Sequence, residues 1–167
     1  MVTIGVLADT HGFLHPRVYE FFRECDEVWH AGDIGTINIT DELQRFKPFR
    51  AVYGNIDGKE IRSSFPVEQV FIIEKVRVVM MHIGGHPGRY EKRARELIIL
   101  EKPGLFITGH SHILMVMYDK ANELLYINPG AAGKYGFHKS ITMVRFVIDG
   151  DAMRDLEVLD LPRSSED

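Results

Sequence analysis

The chain holds one cysteine, Cys25, in 167 residues. A single thiol excludes an internal disulfide and suits a reducing compartment. No apolar run approaches the ~20 residues that a membrane-spanning helix needs. The first apolar run, Thr3-Ile4-Gly5-Val6-Leu7-Ala8, follows no basic segment and is too short for a signal-peptide core. A cytoplasmic protein with no membrane partner is therefore expected. Excess positive charge is also missing: 20 Lys and Arg stand against 24 Asp and Glu, a formal net charge of -4. Nucleic acid is accordingly not the expected partner, because its phosphates call for a basic, aromatic-interleaved surface. Repeats, linkers and low-complexity tracts are lacking too.

What is present is an ordinary globular composition, 45% apolar and 26% charged. The length suits one domain, by the usual ~150 residues per domain. That domain is expected over residues 1–161, with a polar, frayed tail at 162–167. Short apolar runs at 2–8, 27–31 and 49–53 read as buried strands. Between them lie two helix patterns. One covers 16–25, with Pro16 in its first turn and the stripe Val18, Phe21, Phe22, Cys25. The other covers 40–46, with Thr40 as N-cap and a stop before Pro48. This β-α-β-α-β order predicts a parallel sheet.

The pattern then changes. Residues 67–74 and 76–81 read as a hairpin around Lys75. Tyr90, Ala94, Leu97 and Ile98 mark a helix stripe, with Glu91/Arg95 and Lys92/Glu96 as exposed pairs. Further strands are expected at 105–108, 113–118, 124–127, 140–148 and 152–159, with turns at Asn122-Glu123 and Asp149-Gly150-Asp151. That is too many strands for one sheet of this length. The expected fold class is α/β, with two packed mixed sheets and helices outside.

Five predicted strand ends carry metal-ligand chemistry: Asp9-Thr10-His11, Gly32-Asp33, Gly54-Asn55, His82 and Gly109-His110-Ser111-His112. Open α/β proteins bind their ligands at such ends. Together they offer two carboxylates, four imidazoles and one amide oxygen. Mixed nitrogen and oxygen donors suit Mn²⁺, Fe²⁺, Zn²⁺ or Ni²⁺ better than Mg²⁺ or Ca²⁺. Seven donors exceed one tetrahedral ion but suffice for two ions that share a carboxylate. Paired ions typically serve displacement at phosphorus.

In this order the motifs Asp9-Thr10-His11-Gly12, Gly32-Asp33, Gly54-Asn55, His82 and Gly109-His110-Ser111-His112 resemble the calcineurin-like metallophosphoesterases. The similarity is closest to the small single-domain prokaryotic phosphodiesterases of that superfamily, and it spans nearly the whole chain. It implies a four-layer α/β/β/α sandwich of two mixed sheets flanked by helices, the metallo-dependent phosphatase fold. It implies two divalent ions per chain, Mn²⁺ first, with Ni²⁺, Fe²⁺, Zn²⁺ and Co²⁺ as alternatives. Asp9, His11 and His112 would hold one ion. Asn55, His82 and His110 would hold the other, and Asp33 would bridge them. A metal-bridging hydroxide would then attack a small phosphate ester.

The implied activity is phosphodiester hydrolysis. A phosphomonoesterase or nucleotidase on the same site is the nearest alternative. A metal-binding protein-interaction scaffold, like the retromer subunit of this fold, is the next, and a homodimer is compatible. Larger members follow the motif asparagine with a histidine; here Ile56 and then Asp57 follow Asn55, which leaves the acid unassigned. Catalytic roles are expected for Asp33, Asn55 and His86, and substrate contacts for Asn55, His86 and Arg89. His86 and Arg89 lie in a glycine-rich, flexible loop directly after His82. Exposed, solvated side chains are the plain alternative for both. His30 reads as packed or hydrogen-bonded near the site, Asp57 as orienting a ligand or capping a turn, and Cys25 as part of a helix stripe. His15, Lys134 and His138 read as surface residues, His138 nearest the rim. Asn128-Pro129-Gly130-Ala131 resembles a family turn close to the site.

Overall fold

The computed structural model describes residues 1–163. In chain order the elements are β1 (Val2–Leu7), α1 (Arg17–Phe21), β2 (Glu27–His30), α2 (Ile37–Phe46), β3 (Phe49–Ala51), α3 (Lys59–Ser64), β4 (Glu68–Ile73) and β5 (Val76–Met81). There follow β6 (Gly85–His86), β7 (Arg89–Tyr90), α4 (Lys92–Glu101), β8 (Leu105–Ile107), β9 (Leu114–Asp119), β10 (Leu124–Pro129), β11 (Ser140–Asp149) and β12 (Ala152–Pro162).

Two five-stranded mixed sheets result. The first runs β12-β11-β1-β2-β3, with β1, β2 and β3 parallel and β11 and β12 antiparallel. The second runs β4-β5-β8-β10-β9, with β5, β8 and β10 parallel between antiparallel edges. Connection length explains the mixture. Short turns at Glu74-Lys75, Glu123 and Gly150 can only return antiparallel, whereas parallel neighbours need a crossover.

Strand alternation then sorts the side chains into layers. Ile4, Val6 and Trp29 of the first sheet meet Val78, Met80 and Ile107 of the second in a buried central core. On the outer face of the first sheet, Leu7 and Val28 pack with Val18, Phe22, Leu43 and Ile61 from the α1–α3 segments. On the outer face of the second, Val79 and Phe106 pack with Ala94, Leu97 and Ile98 of α4. The layers are α/β/β/α, as the motifs implied. No helix among the described residues is long and apolar enough to cross a membrane.

Several boundaries differ from the sequence expectation. The second helix begins at Ile37 with Thr36 as its N-cap. Thr40 is buried inside it, and its hydroxyl donates to the Ile37 carbonyl at 2.7 Å. Ile37 and Ile39 already pack on the sheet, so the apolar stripe starts earlier than the 40–46 reading allowed. The first helix is only five residues long. The unpredicted α3 buries one residue, Ile61, too little to leave a stripe. The loop after His82 carries a short β6–β7 ladder, and Tyr126 donates to the Gly85 carbonyl at 2.6 Å. At the C-terminus Pro162 still pairs with Ser140, and the Arg163 amide donates to the Lys139 carbonyl at 3.1 Å. The rest of the expected tail, 164–167, lies outside the described residues.

Trp29 is fully buried between the sheets, edge-on to Phe71 and Phe146. Trp29→Ala should cost about 3–5 kcal/mol of stability, read by denaturant unfolding.

Candidate metal centre

β1, β2 and β3 in one sheet and β5, β8 and β10 in the other all end at one edge of the sandwich. Pairing continues into the loops beyond them. The Asp9, His11 and Gly12 amides donate to the Gly32, Asp33 and Ile34 carbonyls at 2.9, 3.0 and 2.8 Å. Bonds also cross between the sheets. The His110 amide donates to Asp9 Oδ2 at 3.1 Å, and His82 Nδ1 donates to the Ala31 carbonyl at 2.8 Å.

This edge gathers the seven predicted ligands. Asp9, His11 and His112 form one group, and Asp33, His82 and His110 a second. Within each group the candidate ligand atoms all lie within 4.8 Å of one another. Asn55 Oδ1 stands 3.1 Å from His110 Nδ1, at the second group. Asp33 Oδ2 lies 3.2 Å from His82 Nε2 and 3.5 Å from His11 Nε2, between the two groups. The carboxylates and His82 are buried, while Asn55 and His110 face solvent. The cluster is therefore open on one side to water and ligands.

Backbone strain concentrates here. Of the nine non-glycine residues with positive φ among the described residues, five are predicted ligands: Asp9, His11, Asp33, His110 and His112. Such conformations cost free energy and persist where surrounding structure over-determines them. Gly32 relieves one crowding problem. Its φ is 101°, and a Cβ there would come within 2.6 Å of the His82 ring. At Gly54 a Cβ would meet Asp33 Oδ1 at 2.1 Å.

The donor chemistry fits metal ions. Asp9 Oδ1, His11 Nε2 and His82 Nε2 are buried with no hydrogen-bond partner. An orphaned buried polar atom normally costs ~1–3 kcal/mol. Among the described residues no lysine or arginine pairs with Asp9 or Asp33; their only ion-pair partners are histidines of the cluster. Tautomers point the same way. His82 spends Nδ1–H on the Ala31 carbonyl, which turns a bare Nε2 towards Asp33 and Asp9. Two lone pairs facing each other require a cation or a proton between them. Without an ion a proton fills that place. Burial opposes charge on both His82 and Asp33. The adjoining Asp33 carboxylate, and then the Asp9 charge, outweigh it at His82, whose pKa is raised. The His82 contact and the Ile56 amide outweigh it at Asp33, whose pKa is lowered.

A second ring of residues holds the ligands in place. Buried His30 accepts from the Gly32 amide at Nδ1 (3.1 Å) and donates from Nε2 to Thr10 Oγ1 (2.9 Å), which donates on to the Ile34 carbonyl (2.9 Å). Burial lowers its pKa to about 3, so the ring is neutral. Asp57 accepts from the Gly54, Gly35 and Ile34 amides at 2.7, 2.9 and 3.2 Å, tying the loops after β2 and β3 together. Asn128 donates to the Gly109 carbonyl and Ser111 Oγ at 2.9 and 3.0 Å, bracing the two-histidine turn.

His138, read from the sequence as a surface residue near the rim, is half-buried at that rim. Its Nε2–H donates to the Gly133 carbonyl at 2.7 Å, so its Nδ1 accepts from His112 Nδ1–H at 3.2 Å. Burial, and then the neighbouring His112, lower its pKa against the pull of that carbonyl bond. His112 is thereby left with a bare Nε2, 3.3 Å from Asp9 Oδ1. The sequence carried no signal for this, because 26 residues separate the pair.

His86 and Arg89 belong to neither ligand group. Both are exposed on the β6–β7 ladder, where His86 Nδ1 lies 3.0 Å from the Pro87 carbonyl oxygen. Two clefts flank the centre. One, of about 580 Å³, opens at Asn55 and His82 and is lined by Tyr53, Arg62, Val67 and Ile83. The other, of about 490 Å³, opens at His110 and His112 and is lined by Ile113, Phe137 and His138.

Comparison with known proteins agrees with this geometry. The family model of the calcineurin-like phosphoesterase superfamily domain matches residues 2–151. A probable metallophosphoesterase of Methanothermobacter thermautotrophicus is 29% identical over 133 residues, 77% of this chain and 76% of that protein. Among solved structures, Vps29 of Chaetomium thermophilum superposes with a TM-score of 0.75 at 15% identity, over 98% of this chain and 100% of its own. A structure described as a novel archaeal phosphodiesterase superposes with a TM-score of 0.71 at 21% identity, over 94% and 99%. Both likenesses are likenesses of fold.

Two outcomes follow. Metal uptake should displace the proton held by His82, so affinity should rise with pH through the imidazole range and fall on acidification. Titration calorimetry in buffers of different ionisation enthalpy reads the released proton. Replacing His138 by alanine should free the His112 ring and weaken the Asp9/His11/His112 position by about 10–100-fold, with the other position little changed. Competitive chelation of a two-ion titration separates the two.

Proposed function

The chain belongs to the calcineurin-like phosphoesterase superfamily, and from that premise we propose that it is a phosphodiesterase working with two divalent ions. The observation that carries this reading is the pair of ligand groups, Asp9/His11/His112 and Asp33/His82/His110, with a cleft on either side. A diester has two organic arms, and two clefts offer a place for each. A monoester would leave one empty. The apolar rim (Ile83, Ile113 and Phe137) suits organic substituents better than free phosphate.

In this reading Asp33 bridges the ions, and Asn55 completes the His82/His110 position. Bound divalent ions supply an acidified water and positive charge for the phosphoryl oxygens. The protein's own part is positioning. Asp57 and Asn128 hold the ligand loops, and the clefts orient the ester so that the phosphorus sits over the cluster. Hydrolysis adds water across one P–O bond, leaving a monoester and an alcohol. At the position where larger relatives carry a histidine, Ile56 has no proton to give, and its side chain is half exposed. The leaving oxygen then departs without help from that position, which favours aryl over alkyl leaving groups.

Manganese-loaded protein should cleave bis(p-nitrophenyl) phosphate faster than p-nitrophenyl phosphate. Asp33→Asn should lower kcat/KM by at least about a thousandfold. Across a series of aryl diesters, kcat should fall steeply as leaving-group pKa rises. Activity that survives both chelation and Asp33→Asn would overturn the reading, and a preference for the monoester would turn it into a phosphatase. In crystals, anomalous scattering should show the His112→Ala variant losing the Asp9/His11 ion and the His110→Ala variant losing the Asn55/His82 ion.

A further inference from the structure

The cleft beside Asn55 and His82 has a chemistry of its own. One wall is aliphatic. Val67 and Ile83 stand in it with 50% and 39% of their surface exposed, and Met81 lies between them. The hydrophobic effect gives no reason for two large aliphatic side chains to face water at one mouth, unless something apolar covers them. The same cleft is lined by Arg62, whose guanidinium carbon lies over the Tyr53 ring, 4.7 Å from its centroid. Main-chain carbonyls fix the guanidinium. Nε donates to the Asp57 carbonyl at 2.5 Å, and Nη2 to the Asn55 and Gly54 carbonyls at 3.2 and 3.4 Å.

Arg62 differs from the other arginine of the cleft. Arg93 is ion-paired with Glu68 and Glu96. No carboxylate among the described residues pairs with Arg62. Its cation is pre-oriented, uncompensated and a short step from the metal centre through Asn55. A guanidinium fixed by main-chain carbonyls in one cleft with exposed aliphatic side chains offers a stacking slot. It suits a flat aromatic ring, whose π face meets the cation and whose edge meets Val67 and Ile83. An extended alkyl chain would use the aliphatic wall but not the plane.

We propose that this slot, lined by Arg62, Val67 and Ile83, binds one aromatic substituent of the phosphate ester, an aryl or nucleobase group. The proposal rests on the phosphodiesterase reading for its substrate class, but its test is a binding measurement that needs no turnover. The zinc-loaded protein is titrated with phenylphosphonate and with methylphosphonate, by calorimetry and by methyl-detected NMR.

Phenylphosphonate should bind at least about tenfold more tightly, the size of one base–aromatic stacking contact. Its ring current should shift the Val67 and Ile83 methyl signals, and methylphosphonate should not. Val67→Trp fills the slot with bulk and touches no ligand residue; it should bring the affinity ratio close to one. Arg62→Lys keeps the charge and loses the plane, and should also collapse the ratio. Equal affinities in the native protein would overturn the proposal, as would ring-current shifts at Ile113 instead of Val67 and Ile83. A variant ratio unchanged from native would do the same. If phenylphosphonate binds as described while no diester is cleaved, the phosphodiesterase reading fails and the slot stands. If diesters are cleaved but the shifts are absent, the slot fails and the reading stands.

Discussion

Two buried carboxylates without a permanent cation are the constraint on which this structure turns. Asp9 and Asp33 are 0% and 3% exposed, and every ionic partner they have among the described residues is an imidazole. An uncompensated buried charge is among the most costly features a fold can carry. Here the charges are not moved out to water. They are surrounded by further donors whose lone pairs also point inward, at His82 and His112. Added to this is the strain of five ligand residues in left-handed backbone conformations. A divalent cation resolves all of these at once, and its binding free energy then becomes folding free energy for the edge of the sandwich.

The fold makes that concentration possible. Parallel strands in two face-to-face sheets deliver six chain segments to one edge, and each arrives with its direction fixed by the strand behind it. Bonds that cross the gap, from His110 to Asp9 and from His82 to Ala31, are made by the ligands themselves. The site therefore helps to register one sheet against the other. Asp57 shows how far the support extends. Its carboxylate collects three amides from two loops, which sets Gly54 beside Asp33 with no room for a side chain.

Much of this was legible in the sequence, for a physical reason. The ligands sit directly after short apolar runs, so strand and ligand are read together. Periodicity gives the strand, and a polar residue beside glycine gives its end. The parallel β-α-β-α-β order and the later hairpins follow from the same signals. What escaped was whatever depends on contact between distant residues. His138 reads as a rim residue until folding sets it against His112. Arg62 lies on α3, whose single buried residue leaves no stripe to show a helix. The β6–β7 ladder has too few residues to show alternation. His86 and Arg89 follow His82 closely in sequence, and the ladder that holds them is set by pairing that the sequence does not display.

Folds of this kind also superpose on Vps29, and fold alone does not choose between catalysis and scaffolding. Orphaned acceptors, strained candidate ligands and a positioning ring that includes the neutral buried His30 each cost stability, and together they call for a bound ion. An ion alone serves a metal-binding scaffold as well as an enzyme, so turnover is what separates the two readings. The clefts extend the same argument outward. Arg62 is held by the carbonyls of Gly54, Asn55 and Asp57, the loop that carries a metal ligand. A ligand that pressed on the guanidinium would then press on the Asn55 loop as well. Occupancy of the proposed slot would in that way be linked to geometry at the His82/His110 position. A substrate whose arm fills the slot would stiffen the Asn55 loop at the moment its phosphorus arrives, while one with a small arm would leave it loose. Selection by fit and selection by rate would then have a common origin in three main-chain hydrogen bonds.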